Sequence, residues 1–419
     1  MQGDSVGRPD EAGDRTQPDD QVRTTAVAAP AEVTERSAST AAGRSPEPGA
    51  PVERDRFIDF VRAFSLLVVV AWHWVFTIIV WFPNGPHATN PIGFTRGLFV
   101  ATWLFQVMPL FFFVGGFAHE KAWLAAPKDR TLWRFARDRS VTLIRPALAL
   151  AVVWWLIGNT VVFLWDVDGM DRTVRLILSP LWFLVVYVLL VALFPLAYRL
   201  HLRFGPIVLV WGAGLAAIVD VTRFSHDDHW VGWFNMIVVW GLCHQLGFFW
   251  SWLVAAGKQA AWMLTWAGLF GLVALVGSGI YPGSMVGVPG ERISNMAPPT
   301  LCIVALVMFQ AGVALHLRSW VLERLETSRR WAVTNTVINR FSLPLFLFHS
   351  TGMALWAGFG HFVLDNRALR EPDASWWLTR PFAFIGPLAA TMPIILLLGR
   401  KRPRSRAAPP PEPSISAAT

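Results

Sequence analysis

Long apolar stretches with few charges alternate with short polar segments from residue 57 to residue 398. Ten of these stretches reach the roughly 17–25 mostly apolar residues that cross a bilayer as a helix. The predicted spans are residues 57–82, 94–117, 141–165, 180–198, 205–222, 230–250, 259–280, 297–317, 341–364 and 380–398. The pattern predicts an all-α, polytopic membrane helix bundle with about ten transmembrane helices.

The two ends of the chain lack this pattern. Residues 1–53 contain no Phe, Trp, Ile, Leu or Tyr, so they cannot build a core, and they have no apolar region typical of a secretory signal. Residues 400–419 begin with five cations and continue as a Pro-, Ser- and Ala-rich run. We predict a disordered cytoplasmic tail at 1–53, a transmembrane domain at 54–399 and a basic, disordered cytoplasmic tail at 400–419.

The composition agrees with a multi-pass protein of the cell membrane. Hydrophobic residues make up 54% of the chain and charged residues 15%, against about a quarter in soluble domains, which excludes a soluble enzyme. The net charge of +8 comes from cations beside the apolar stretches, which the positive-inside rule explains without nucleic acid as a partner. With both termini in the cytoplasm, 20 cations flank the spans inside and 8 outside, so this orientation is predicted.

Three ionisable side chains enter the first apolar stretch. Arg62 and His73 are eleven residues apart, which places them on one helix face with a separation of roughly 16 Å. Asp59 lies three residues before Arg62, close enough to neutralise its guanidinium. Because such groups are expensive in a bilayer, they are expected to face protein or a wet cavity.

Four motifs in this order resemble the integral-membrane acyltransferase family 3. They are Asp59 with Arg62 and His73, the Phe-rich stretch 111–117, the Leu-Trp-Phe-Leu motif at 181–184, and the Ser-to-His segment 342–349. Gly115 departs from the family pattern, which usually has Ser at that position. The resemblance implies that residues 54–399 are a transmembrane acyltransferase domain. It also implies acyl-CoA as donor substrate and a hydroxyl acceptor, such as a glycan or glycolipid, without a further cofactor.

The residues suggest how such a transfer would work. A neutral histidine suits the abstraction of a hydroxyl proton, so His73 is the candidate base. Arg62 either binds the donor's phosphate or carbonyl groups through its planar fork or only pairs with Asp59. The candidates for binding substrate, besides Asp59, are the basic segment before the third span and a late histidine: Arg134, Arg137, Arg139, Arg145 and His349. Membrane topology and anionic lipid explain that basic segment equally well, and a structural hydrogen bond explains His349 equally well.

Other interpretations remain open at this level. A transporter or flippase would also place Arg62, His73 and His349 along a polar path, although no inverted repeat is apparent.

Cys243 is a poor nucleophile because a thiol among apolar groups has a raised pKa. The segment 226–229 holds two His and two Asp, but four consecutive residues in a short turn cannot converge on one metal ion, so no metal site is predicted. The loop 279–295 is predicted to border an acceptor entrance on the outer side.

Overall fold

The computed structural model describes residues 55–166, 168–226, 230–364 and 372–399. The tails predicted at 1–53 and 400–419, and residues 227–229 of the polar turn, lie outside the described residues. The helices are Arg56–Phe76 (α1), Ala101–Phe105 (α2), Met108–Leu124 (α3), Leu132–Trp165 (α4), Met170–Leu178 (α5), Leu181–Phe204 (α6), Ile207–His226 (α7), Asn235–Gly247 (α8), Trp250–Gly277 (α9), Leu301–Thr327 (α10), Arg329–Phe362 (α11), Ala374–Thr379 (α12) and Ile385–Gly399 (α13). Two strands, Ile78–Phe82 (β1) and Gly85–Thr89 (β2), follow α1.

The predicted all-α membrane bundle is confirmed. Within the described residues, eight helical segments are long and apolar enough to cross a bilayer by length and composition. The predicted spans 230–250 and 341–364 correspond to helices that are not among those eight. The first corresponds to α8, which has only 13 residues, and the second lies in α11, which also holds Pro344 and His349.

The predicted first span, residues 57–82, is wrong at its outer end. Helix α1 ends at Phe76, and Ile78–Phe82 pairs with Gly85–Thr89 as an antiparallel hairpin in which Ile78 lies opposite Thr89. The physical reason is local: Thr77 to Val80 is a β-branched run, which favours extended backbone. A two-residue connection then leads to Gly85, whose φ of 106° suits glycine.

Helix α1 lies inside the bundle and holds the charged residues of the first span. Asp55 caps its start by accepting hydrogen bonds from the backbone amides of Phe57 and Ile58, at 3.0 and 3.2 Å. Phe57, Ile58 and Val61 are buried, and the helix packs against α3, α10 and α11. The face that holds Asp59, Arg62 and His73 therefore meets other helices.

Helices α3 and α8 approach each other unusually closely at two glycines. A Cβ added to Gly116 would lie 1.8 Å from the His244 carbonyl oxygen, and one added to Gly247 would lie 2.0 Å from the Phe113 carbonyl oxygen. Small residues allow such backbone contact in membrane helix pairs, where dispersion contacts replace the hydrophobic effect as the source of association. This contact places His119 of α3 beside His244 of α8.

The hairpin, α5 and the loop 283–298 lie together at the end of the bundle where α1 ends. Arg172 of α5 contacts His87 of β2, and the Asn90 side chain donates to the Gly287 carbonyl oxygen at 3.0 Å. On α5, a hydrogen bond from Arg175 at 2.5 Å holds the pKa of the Asp171 carboxyl below its ordinary value. We call these three segments the outer cover, because the predicted orientation places them outside the cell.

The predicted orientation can be tested by cysteine labelling in intact cells. The native thiols of Cys243 and Cys302 are buried, so an introduced cysteine gives the signal. We expect Lys128→Cys and Arg404→Cys to react with an impermeant maleimide only after permeabilisation, and Glu291→Cys to react before it. Labelling of Arg404→Cys in intact cells would contradict a cytoplasmic C-terminus.

Candidate active site

Two histidines from distant parts of the chain meet at the centre of the site. His73 of α1 and His349 of α11 stack with their rings nearly parallel, and His73 Nδ1 lies 2.7 Å from His349 Nε2. His349 is fully buried, and the Trp74 indole donates to the His349 carbonyl oxygen at 2.9 Å. This contact joins α1 to α11 at the level of His73, the predicted base.

The hydrogen bonds of this pair assign the protons on both rings. His349 Nδ1 lies 2.6 Å from the Phe346 carbonyl oxygen, which can only accept, so Nδ1 carries a proton. Two neutral imidazoles are favoured here because an unpaired charge is costly in an apolar interior. His349 Nε2 then accepts from His73 Nδ1–H, which leaves His73 Nε2 without a proton. His73 Nε2 is therefore the nitrogen that can take a proton from another molecule.

His73 lines a cavity of 310 Å³ beneath the outer cover, which we call the outer cavity. Asn90 after β2, Ser179 after α5 and Gly287 of the loop 283–298 contribute to its wall on the covered side. Aromatic side chains, including Trp182, also line it, and the described lining residues include no Asp, Glu, Lys or Arg. The cavity thus presents a neutral histidine between aromatic surfaces and uncharged polar groups.

Arg62 is held by hydrogen bonds to two different side chains, one from its own helix and one from α11. Arg62 Nη2 lies 2.8 Å from Asp59 Oδ1 and 2.8 Å from Asn339 Oδ1, and Arg62 Nε lies 3.2 Å from the same Asn339 oxygen. Asn339 in turn donates to the Asp59 carbonyl oxygen at 2.9 Å. The pairing with Asp59 that the sequence suggested is therefore present, and α11 supplies a further partner.

Arg62 also lines a second cavity of 220 Å³, which we call the inner cavity. Four residues border both cavities: Val69, Met108, Phe183 and Phe346. The two cavities therefore adjoin at these four apolar side chains. Arg62 and His73, predicted to share one face of α1, stand in the two cavities at the two ends of this face.

The family model of acyltransferase family 3, described as an acyltransferase domain, matches residues 55–399. The chain belongs to this acyltransferase family. No curated protein and no solved structure matches it at a significant level. The family match favours the enzymatic interpretation over the transporter or flippase.

The basic segment of this acyltransferase divides into parts with different surroundings. Arg134 and Arg137 line an open surface groove together with Arg130 and two carboxylates, and Arg137 Nη2 lies 3.3 Å from Asp138. The Arg139 guanidinium instead lies over the Phe135 ring, 5.5 Å from its centre, while Arg145 is exposed. Leu143 on the same helix lines the inner cavity, so α4 connects the groove and the cavity.

Two polar residues beside the inner cavity of the acyltransferase were not predicted from the sequence. Asn339 lies two residues before the predicted ninth span, and Tyr187 lies in the predicted fourth span among apolar neighbours. The available signal was the cost of placing Arg62 in a membrane span: a guanidinium there needs polar partners, and an amide near the start of another span is a candidate. Tyr187 offered no comparable signal, because tyrosine is ordinary in a membrane helix.

Proposed function

We propose that this acyltransferase moves an acyl group, most simply acetyl, from acyl-CoA to a hydroxyl of a carbohydrate or another envelope or secreted acceptor. The observation on which the proposal mainly rests is the position of His73. Its Nδ1 is engaged by His349, its Nε2 is free to accept a proton, and it lines a cavity that adjoins a second one. These contacts support His73 as a base at a point where substrates from two sides would meet.

The donor would enter through the inner cavity. Arg62 supplies a positive charge there, and the surface groove at the start of α4 offers Arg130, Arg134 and Arg137 to phosphate groups at the cytoplasmic side. Guanidinium forks suit phosphate oxygens, and the apolar wall of the cavity suits a flexible arm. The thioester would then lie where the two cavities adjoin, within reach of the acceptor.

The acceptor would occupy the outer cavity. Indole and phenyl faces such as those of Trp182 and Phe183 pack against the apolar faces of sugar rings, while Asn90 and Ser350 offer neutral polar groups. The described lining has no cationic side chain to attract an anion. An uncharged hydroxyl-bearing group is therefore the acceptor that this cavity fits best.

The reaction would be a direct transfer. The acceptor hydroxyl gives its proton to His73 Nε2 while its oxygen forms a bond to the thioester carbon. The carbon–sulfur bond then breaks, and the leaving thiolate takes the proton from His73, so that the base returns to its neutral state. Neither cysteine is required, and both Cys243 and Cys302 are buried.

The proposal is tested with the purified protein in lipid nanodiscs. We expect slow release of free CoA from acetyl-CoA in the absence of acceptor, and faster release together with a labelled product when neutral glycans are supplied. A comparison of envelope and secreted glycan acylation in a deletion strain would then identify the acceptor. Absence of CoA release and of labelled product with every acyl-CoA tested would contradict the proposed donor.

A substitution at Arg62 separates donor binding from ion pairing. Arg62→Lys should weaken acyl-CoA binding roughly tenfold or more, because an ammonium cannot hold Asn339 and Asp59 and also meet the donor with a planar fork. Arg340→Lys is the matched control, since Arg340 is exposed one residue from Asn339. Dissociation constants are measured with a non-reactive thioether analogue of acyl-CoA.

The neutral double variant tests the alternative role of Arg62. If Arg62 only balances Asp59, Asp59→Asn with Arg62→Gln removes both charges together and should bind donor like the parent. We expect this variant to bind donor as weakly as Arg62→Lys or more weakly. Parental affinity would make Arg62 a structural residue and would move the phosphate site to the groove at Arg134 and Arg137.

A further inference from the structure

A second buried pair of histidines lies beside the inner cavity and is not used by the proposed reaction. His119 Nδ1 of α3 lies 3.0 Å from His244 Nε2 of α8, and both rings are buried. The Tyr187 hydroxyl of α6 lies 3.4 Å from His119 Nε2. Three polar side chains from three helices thus form one chain of contacts that ends at Tyr187.

The packing around Gly115 leaves room for the Tyr187 ring. A Cβ at position 115 would lie 2.7 Å from Tyr187 Cε2 and 3.0 Å from the Tyr187 hydroxyl oxygen, so a serine there would collide with the ring. The ring also packs against Phe111, Phe112 and Phe183. The departure from the family pattern at Gly115 is thus matched by a tyrosine that fills the space.

Tyr187 is one of the few polar residues that line the inner cavity. Nine of the twelve lining residues are apolar, and the others are Arg62, Tyr187 and Ser342. The Ser342 hydroxyl already donates to the Asn339 carbonyl oxygen at 2.9 Å. Arg62 and Tyr187 are therefore the principal polar contacts that this cavity offers to a ligand.

We propose that Tyr187 binds an amide group in the arm that links the thioester of the donor to its phosphates, and that His119 and His244 are positioning residues for its hydroxyl. This inference rests on the proposed function. A phenol hydroxyl can donate one hydrogen bond and accept others, so a bond to His119 leaves it able to meet a second partner. Its neutrality fits a secondary amide, whereas the charged phosphates fit the arginines.

The donor arm and the cavity match in polarity along their length. The pantetheine arm of CoA alternates methylene groups with two secondary amides, and it separates a charged end from a thioester. The inner cavity has Arg62 and Tyr187 in a mostly apolar lining, and it shares four apolar lining residues with the cavity of His73. An amide buried in such a lining needs a partner, because an unpaired buried polar group is costly.

Tyr187→Phe tests the proposal while it keeps the ring packing. Loss of one neutral hydrogen bond should weaken binding of the thioether analogue of acetyl-CoA roughly 2- to 10-fold. The KM for donor should rise by the same factor, while the KM for acceptor stays unchanged. Tyr198→Phe is the matched control, because it removes a hydroxyl from the same helix at a residue that packs against Phe194 and Phe248 and does not line the inner cavity. Unchanged donor affinity in Tyr187→Phe would overturn the inference.

A double-variant comparison tests the positioning role of His119. If His119 acts through the Tyr187 hydroxyl, His119→Gln should weaken donor binding, and adding it to Tyr187→Phe should cause no further loss. Additive losses would assign His119 a separate, structural role. If the parent protein itself fails to bind the analogue, the proposed donor is wrong. If the parent binds it and Tyr187→Phe binds it equally, only the role of Tyr187 is wrong.

Discussion

Replacing His73 by alanine should lower acyl transfer by roughly 10²- to 10⁴-fold, the usual contribution of a positioned general base. The loss should appear in kcat, because the alanine variant keeps both cavities and the arginine of the inner one. Transfer to a saturating acceptor is measured in nanodiscs, and donor binding is measured separately with the thioether analogue. Donor affinity should stay within about twofold of the parent, since a base that acts only on the acceptor adds little to donor binding.

The control for this variant is His316→Ala. His316 is an exposed histidine of α10 that packs against Trp262, so it tests the general effect of removing a membrane-embedded imidazole. We expect full activity from it. Full activity in His73→Ala would exclude the proposed base. Loss of activity together with loss of donor binding and of folded protein would instead assign His73 a structural role.

Replacing His349 by leucine should lower kcat about 10²-fold, the penalty that a small misplacement of a catalytic group can cause. Leucine removes the acceptor that keeps the proton of His73 on Nδ1, so the ring gains a second tautomer and a second orientation. His349→Gln should recover part of the loss, because its amide oxygen can accept from His73 Nδ1–H. Both variants are compared at saturating donor and acceptor.

The pair of His349 variants distinguishes orientation from simple packing. If His349 only fills space, leucine should retain activity and glutamine should offer no advantage over it. The expected order of kcat is parent, then glutamine, then leucine. Equal activity of the leucine variant and the parent would show that His73 does not depend on His349.

Much of the fold could be predicted from the sequence because a membrane helix is specified locally. Apolar length alone located the long helices but not the short α5, and the eleven-residue spacing placed Arg62 and His73 on one face of α1. The prediction was wrong where local hydropathy and backbone preference disagree. The stretch from Ile78 to Phe82 is apolar enough to continue a span, but its β-branched residues pair with β2 instead.

The candidate site could be predicted only in part, because its residues come from separate helices. The sequence marked His73 and His349 as separate candidates, but they are 276 positions apart and their hydrogen bond depends on how α1 packs against α11. The same packing brings Asn339 to Arg62. An intramembrane ionisable group signals that partners exist, but it does not identify them.

The sequence by itself determined the membrane class, the order of the helices, the family motifs and the register of Arg62 and His73, since each depends on residue type and on spacing within one segment. The tertiary structure decided which nitrogen of His73 is free, that Arg62 and His73 stand in neighbouring cavities, and that Tyr187 meets His119. These features depend on contacts between helices, such as the approach of α3 to α8 at Gly116. Such contacts follow from the shapes of all the packed side chains together, which no single segment encodes.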